Sequence, residues 1–171
     1  ARCVQAAINY LESRPSRPFL MYLPLTVPHC PYAAPEPWHS LIRPDAVPRL
    51  RPADLPGKPD YVRLIRRHRR LDELDDAFLR RIQAAYLGMV AFADHLLGRL
   101  LEALERTGHD RDTVVVAFSD HGDWAGDFGL VEKWPSALDD CLTRIPLIVR
   151  VPGGRTGHVV CEPVEAFDIM A

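Results

Sequence analysis

No surplus of either charge marks this sequence: 21 Lys and Arg stand against 23 Asp and Glu, a formal net charge of −2. A dedicated nucleic-acid binder carries a basic footprint, so that class of partner is set aside. Cysteine is sparse. The four residues Cys3, Cys30, Cys141 and Cys161 contain no CxxC pair, which excludes a disulfide-stapled mini-domain and points to a reduced compartment or to free buried thiols. No apolar run is long enough to span a bilayer, and the opening ARCVQAAINYLESR lacks the form of a signal peptide, so no membrane partner is expected. Internal repeats are absent. What is there is ordinary globular composition, 171 residues that are 47% hydrophobic and 26% charged, enough for one core. Both ends read as cut, the second inside EAFDIMA, which has the look of an opening helix. An export signal would lie upstream, so the choice between cytoplasm and periplasm stays open.

Apolar positions at helical spacing predict a helix over residues 3–13, broken by SRPSRP. The short apolar run Phe19–Leu25 suits a strand buried on both faces. It enters TVPHCPYAAPEPW, where the prolines forbid regular structure. Over 43–75 prolines recur, followed by the basic run RLIRRHRR and an acidic run from Asp72 to Asp76. We read this stretch as an excursion within one domain, with its charges on solvated helix faces or in local ion pairs. Asp75–Arg106 carries the longest apolar stripe, capped by Gly108. Val114–Ser119 and Ile145–Val151 are strand candidates, and Val159–Cys161 a short fourth. Strand, long helix and strand in that order make an α/β fold with a mainly parallel sheet flanked by helices.

In such sheets ligands bind beyond the carboxyl ends of the strands. Two of those ends carry polar groups, Pro28-His29-Cys30-Pro31 and Ser119-Asp120-His121-Gly122-Asp123. Asp120 and His121 offer a hard oxygen and an imidazole nitrogen, both suited to a divalent ion. Neighbouring residues reach one ion only if the chain turns, which Gly122 permits. The competing reading is an Asp/Ser cap on a following helix with a surface histidine. Lys133 is either half of a solvated pair with Glu132 or, beside a metal, a group that neutralises an anionic substrate. His29, between prolines, is either a packed polar residue or a site residue.

Taken in order, PFLMYLPLTVPHCPYAAPEPW, YLGMVAFADHLLGRLLEALERTG and DTVVVAFSDHGDWAGDFGLVEKW followed by LTRIPLIVRVPG resemble the catalytic domain of the sulfatase family. The resemblance covers nearly the whole chain and is weakest over 43–75. It implies a partial alkaline-phosphatase-like α/β sandwich over 1–171, and hydrolysis of a small-molecule or carbohydrate sulfate ester. It also implies a divalent metal, foremost Ca2+ and in some members Mn2+ or Mg2+, and a formylglycine nucleophile made from Cys or Ser. Carried onto this sequence, Asp120 and His121 are metal ligands. Lys133 contacts the sulfate and stabilises developing charge, and His29 binds sulfate or protonates the leaving alkoxide. Oligomeric state is not implied.

Three departures temper the likeness. The family's two acidic ligands and its C/S-x-P-x-R nucleophile motif precede the first strand, and this sequence has no room for them. Asp120 and His121 alone leave calcium far short of its roughly six to eight oxygen ligands. Phe128 stands where many relatives have His. Ser13-Arg14-Pro15-Ser16-Arg17 spells the serine form of the nucleophile motif but follows a helix directly and lacks the later Thr-Gly, so it reads as a plain connection. The chain by itself is therefore expected to be inactive. The alternatives are a phosphonate or phosphate ester hydrolase of the same superfamily, or a non-catalytic truncated remnant. A zinc module drawn from His29, Cys30, His39, His121 and Cys141 is a further alternative, without finger-like spacing.

Overall fold

The computed structural model describes residues 2–134 and 137–170; Ala1, Pro135, Ser136 and Ala171, including both limits of the expected 1–171 unit, lie outside them. In chain order the helices are α1 (Arg2–Glu12), α2 (Asp60–His68), α3 (Asp76–Thr107) and the single turn α4 (Asp140–Thr143). The strands are β1 (Val115–Phe118) and β2 (Leu147–Arg150). The 32-residue α3 is the spine. Its start is fixed by the Asp75 carboxylate, which accepts from the Phe78 N–H at 2.7 Å, a cap worth about 1 kcal/mol. Gly108 at φ 82 ends it in the left-handed conformation that a residue with a β-carbon avoids.

Two buried clusters share this spine. Toward its C-terminus, Leu96, Ala103 and Leu104 meet Val4, Ile8 and Leu11 of α1. Toward its N-terminus, Leu79 joins Leu50, Val62, Leu71, Trp124, Phe128, Leu130, Val131 and Leu142. The 43–75 segment thus supplies Leu50, Val62 and Leu71 to the same core as the loop after β1. Four arginines of its basic run are ion-paired, three within the segment and Arg69 with Glu132 in the loop after β1. Arg63 meets Asp60 at 2.8 Å, Arg70 meets Glu73 at 2.7 Å, Arg66 meets Asp54 at 3.8 Å and Arg69 meets Glu132 at 2.8 Å.

Three sequence expectations need correction. First, α3 does contain an 18-residue stretch of mean hydropathy 1.2, long and apolar enough by composition to cross a bilayer. The reason is that Asp94 is the only acidic or basic residue between Arg81 and Arg99 apart from His95. Second, the sheet pair present among the described residues is antiparallel, Val115 opposite Arg150 through Phe118 opposite Leu147. Parallel pairing needs a crossover back to the start of the first strand. Here the chain between β1 and β2 returns to the carboxyl end of β1 instead, so Leu147 begins beside Phe118. Third, Phe19–Leu25 and Val159–Cys161 join no ladder among the described residues. Residues 19–25 are one-faced rather than buried on both sides. Phe19, Met21, Leu23 and Leu25 pack on the α1–α3 cluster, while Leu20 is 94% exposed and Tyr22 is 74% exposed.

Candidate functional site

The carboxyl end of β1 runs into a turn rather than another helix. Ser119 Oγ donates to the His121 carbonyl at 2.7 Å, and the Gly122 N–H donates to the Leu142 carbonyl at 2.8 Å. Gly122 is required by the second contact, because a β-carbon there would collide with the Cys141 carbonyl oxygen. The turn leaves Asp120 and His121 on the same side, with Asp120 Oδ1 at 3.7 Å from His121 Nε2. Asp120 is open to solvent, its side chain 84% exposed, and that of His121 is 30% exposed.

Lys133 closes the arrangement. Its Nζ lies 2.9 Å from His121 Nε2 and 3.0 Å from His29 Nε2. The tautomers follow from the other ring nitrogens. His121 Nδ1 sits 2.7 Å from the Gly122 carbonyl and His29 Nδ1 sits 2.8 Å from the Cys30 carbonyl. A carbonyl only accepts, so both Nδ1 atoms carry the proton and both Nε2 atoms present a lone pair. The Lys133 ammonium donates to each. The two imidazoles stand edge to face, 6.1 Å between centroids. All four residues singled out in the sequence therefore meet at the end of β1, the three basic ones in direct contact.

The scaffold of this cluster includes residues that sequence reasoning passed over. Tyr32 Oη donates to Asp123 Oδ1 at 2.8 Å and accepts from the Glu132 N–H at 2.7 Å. Asp123 also accepts from the Ala125 N–H at 2.8 Å. Burial raises the Asp123 carboxyl above its usual range, an effect opposed by the Tyr32 hydroxyl and by backbone donors. Burial likewise pushes the Tyr32 phenol well up, reinforced by the Asp123 charge. The Tyr86 phenol, packed edge to face on Tyr32 at 6.4 Å, is pushed up to about 12 by burial and then by Asp123. Arg69, from the segment after α2, donates to Glu132 at 2.8 Å and to the Val131 carbonyl at 3.0 Å. The only sequence signals for these partners are the tyrosine closing PHCPY and the second acid of SDHGD.

Phe128 belongs to the core rather than to the cluster. It is 3% exposed in the core, edge to face with Trp124 at 5.8 Å, with Lys58 Nζ 3.7 Å from its ring centroid. Cys30 Sγ lies 3.5 Å from His29 Nδ1. Its thiol is raised, first by burial and then by Glu132, which makes it a poor nucleophile. Ser13, in the decoy motif, is engaged in finishing α1, donating to the Tyr10 carbonyl at 2.6 Å.

As a metal centre the donor set fits in kind and falls short in number. His121 has the tautomer a ligand needs, with a carbonyl orienting the ring, and Asp120 adds an oxygen nearby. Among the described residues no group of three or more His, Cys, Asp or Glu side chains gathers. Asp120 and His121 are thus a pair of donors, and none of the residues weighed for a zinc module completes a trio with them among the described residues.

Comparison with known proteins identifies the family and the fold. The Sulfatase family model matches residues 1–171. An arylsulfatase from Clostridium perfringens is 30% identical over 178 residues, covering 98% of this chain and 36% of the relative. A multifunctional alkaline phosphatase superfamily protein from Trinickia caryophylli is 29% identical over 183 residues, covering 97% of this chain and 35% of that protein. A solved phosphonate monoester hydrolase from Silicibacter pomeroyi superposes with a TM-score of 0.71 at 31% identity, over 84% of this chain and 30% of the other. The chain spans about a third of the length of these relatives. Its fold is accordingly a part of the alkaline-phosphatase-like α/β architecture, and the chain belongs to the sulfatase family.

Proposed function

We propose that this chain carries the metal strand and the anion-binding side chains of a sulfuric ester hydrolase. The observation that supports the reading most is the Lys133 ammonium held at 2.9 and 3.0 Å from two imidazole nitrogens, beside Asp120. A cation fixed between neutral rings at the mouth of a strand end is suited to the non-bridging oxygens of a sulfate ester. His29 Nε2 lies 3.0 Å from Lys133 Nζ, where it would bind sulfate or, as an imidazolium charged from solvent, give its proton to the leaving alkoxide while Lys133 keeps its charge. The bond that breaks is S–O, and the alkoxide leaves as an alcohol carrying that proton.

Asp120 and His121 would hold the divalent ion, Ca2+ foremost, with further ligands from outside the residues described. When bound, such an ion supplies polarisation of the sulfuryl oxygens. Such an ion would be held through the His121 Nε2 lone pair that accepts from Lys133, which would leave Lys133 free to turn to the substrate. Attack on sulfur would fall to the formylglycine that the family likeness implies, also outside these residues. The substrate class is a small-molecule or carbohydrate sulfate ester.

A phosphonate or phosphate ester is the second reading, supported by the likeness to the Silicibacter pomeroyi phosphonate monoester hydrolase. The full-length protein that carries this chain decides between them with 4-nitrophenyl sulfate and 4-nitrophenyl phenylphosphonate. A larger kcat/KM on the sulfate, abolished in Asp120→Asn and His121→Ala, is expected. Preference for the phosphonate would favour the second reading. No turnover of either by a folded, metal-loaded protein would make the chain a non-catalytic relative.

A further inference from the structure

We propose that Glu132 is a positioning residue, a backbone hinge locked by Tyr32 and Arg69 that aims Lys133 at the two imidazoles. The inference rests on the reading of Lys133 as the cation of the site. Glu132 adopts φ +64, in the left-handed region that a residue with a β-carbon seldom occupies. It stands immediately before Lys133. Such a conformation persists only where the surroundings over-determine it, and here they do. Its N–H donates to Tyr32 Oη at 2.7 Å, its carbonyl accepts from the Trp124 N–H at 3.0 Å, and its carboxylate accepts from Arg69 Nη2 at 2.8 Å.

Arg69 does more than pair with a charge. Its Nη1 also donates to the Val131 carbonyl at 3.0 Å and the Trp134 carbonyl at 3.4 Å. One guanidinium therefore grips residues 131, 132 and 134 and leaves free only the lysine between them. A planar fork of fixed donors can do this; a single flexible ammonium cannot. Tyr32 works from the other side. It lies three residues after His29, and its hydroxyl is anchored on Asp123, two residues after His121. One phenol thus ties the loops carrying both histidines to the residue that precedes the lysine. An ordinary φ at Glu132 would turn the Lys133 side chain out of the cluster, and a merely solvated lysine would need none of these contacts.

Lys58 and Lys133 are the only lysines of these 171 residues. In the full-length protein labelled with 13C-lysine, the Lys133 side-chain signal is assigned by its loss in Lys133→Arg. In the unsubstituted chain, NOEs from the Lys133 ε-methylene to the His29 and His121 rings are expected. Tyr32→Phe removes the hydroxyl, and Arg69→Lys keeps the charge while removing the fork. In each variant the fold is retained, read from amide signals outside 121–134, and both sets of NOEs are lost. NOEs at unsubstituted strength in either folded variant would overturn the proposal. Loss of the fold in both variants would also overturn it, because those residues would then hold the domain rather than the lysine. If only one variant unfolds, the other decides. Absence of the NOEs from the unsubstituted chain is a different failure: it removes the cluster, and with it the functional reading.

Discussion

Replacing Gly122 by alanine should be among the most damaging small changes in the chain. A β-carbon at that position meets the Cys141 carbonyl group and comes within 3.2 Å of Leu142 Cα. These are backbone atoms and cannot rotate away. Relief requires the turn to lift off, which breaks the 2.8 Å bond from the Gly122 N–H to the Leu142 carbonyl. Overpacking of this kind costs about 1–3 kcal/mol, and the hydrogen bond adds roughly 1 kcal/mol. The total is about 2–4 kcal/mol. With an m-value of about 2 kcal/mol/M, the urea midpoint falls by about 1–2 M. Fluorescence of buried Trp124, 2% exposed, reports the transition. Gly98→Ala is the internal contrast. Nothing lies within 4 Å of its added carbon, and it sits inside α3, so alanine should stabilise by about 0.5–1 kcal/mol. A Gly122→Ala midpoint equal to that of the unsubstituted chain would refute the seating of this turn on Cys141 and Leu142. It would also remove the reason for His121 to face Lys133.

Further outcomes follow from burial and charge. Leu96→Ala, at 1% exposure between α1 and α3, should cost about 2–5 kcal/mol in urea unfolding. Leu20→Ser, at 94% exposure, should stay within roughly 0.5 kcal/mol; similar costs at both sites would contradict the one-faced reading of residues 19–25. Tyr32 and Tyr86 should ionise late in a titration followed near 295 nm, since both phenols are raised by burial. The native phenols hold their protons more tightly than unfolded ones. Their contribution to stability is therefore complete below pH about 10 and is lost as pH rises through about 12, the Tyr86 value. Tyr32→Phe and Tyr86→Phe should each delete one late-titrating group, and loss of an early one instead would show the phenol to be exposed.

How much of this was legible beforehand depends on the range of the interactions. α3 was readable because its stripe and the Gly108 stop are local signals, and the structure shifts its limits by one residue at each end, turning Asp75 from first residue into cap. The strand cores at Val115–Phe118 and Leu147–Arg150 were readable from β-branched runs. Their antiparallel pairing was not, since it depends on the path of the chain between them. In the candidate site, Asp120 and His121 stood out by chemical type at the end of an apolar run, whereas His29 and Lys133 stayed ambiguous until the family resemblance gave them roles. Their scaffold could not. Tyr32 lies 91 residues from Asp123 and 100 from Glu132, and Arg69 lies 63 residues from Glu132, inside a basic run whose composition suggested solvated faces or local ion pairs. The core role of Leu50, Val62 and Leu71 was hidden for a similar reason, their spacing being broken by prolines.

The most direct test of the site is the kinetic effect of its lysine. In the full-length protein, Lys133→Met should lower kcat on 4-nitrophenyl sulfate by about 10²–10³, the scale of losing one preorganised donor to a developing negative charge. Lys58→Met, which removes the other lysine of this chain at a distance from the cluster's hydrogen bonds, should leave kcat close to that of the unsubstituted protein. Equal kcat values for the two variants would contradict the assignment of Lys133 as the cation that meets the substrate.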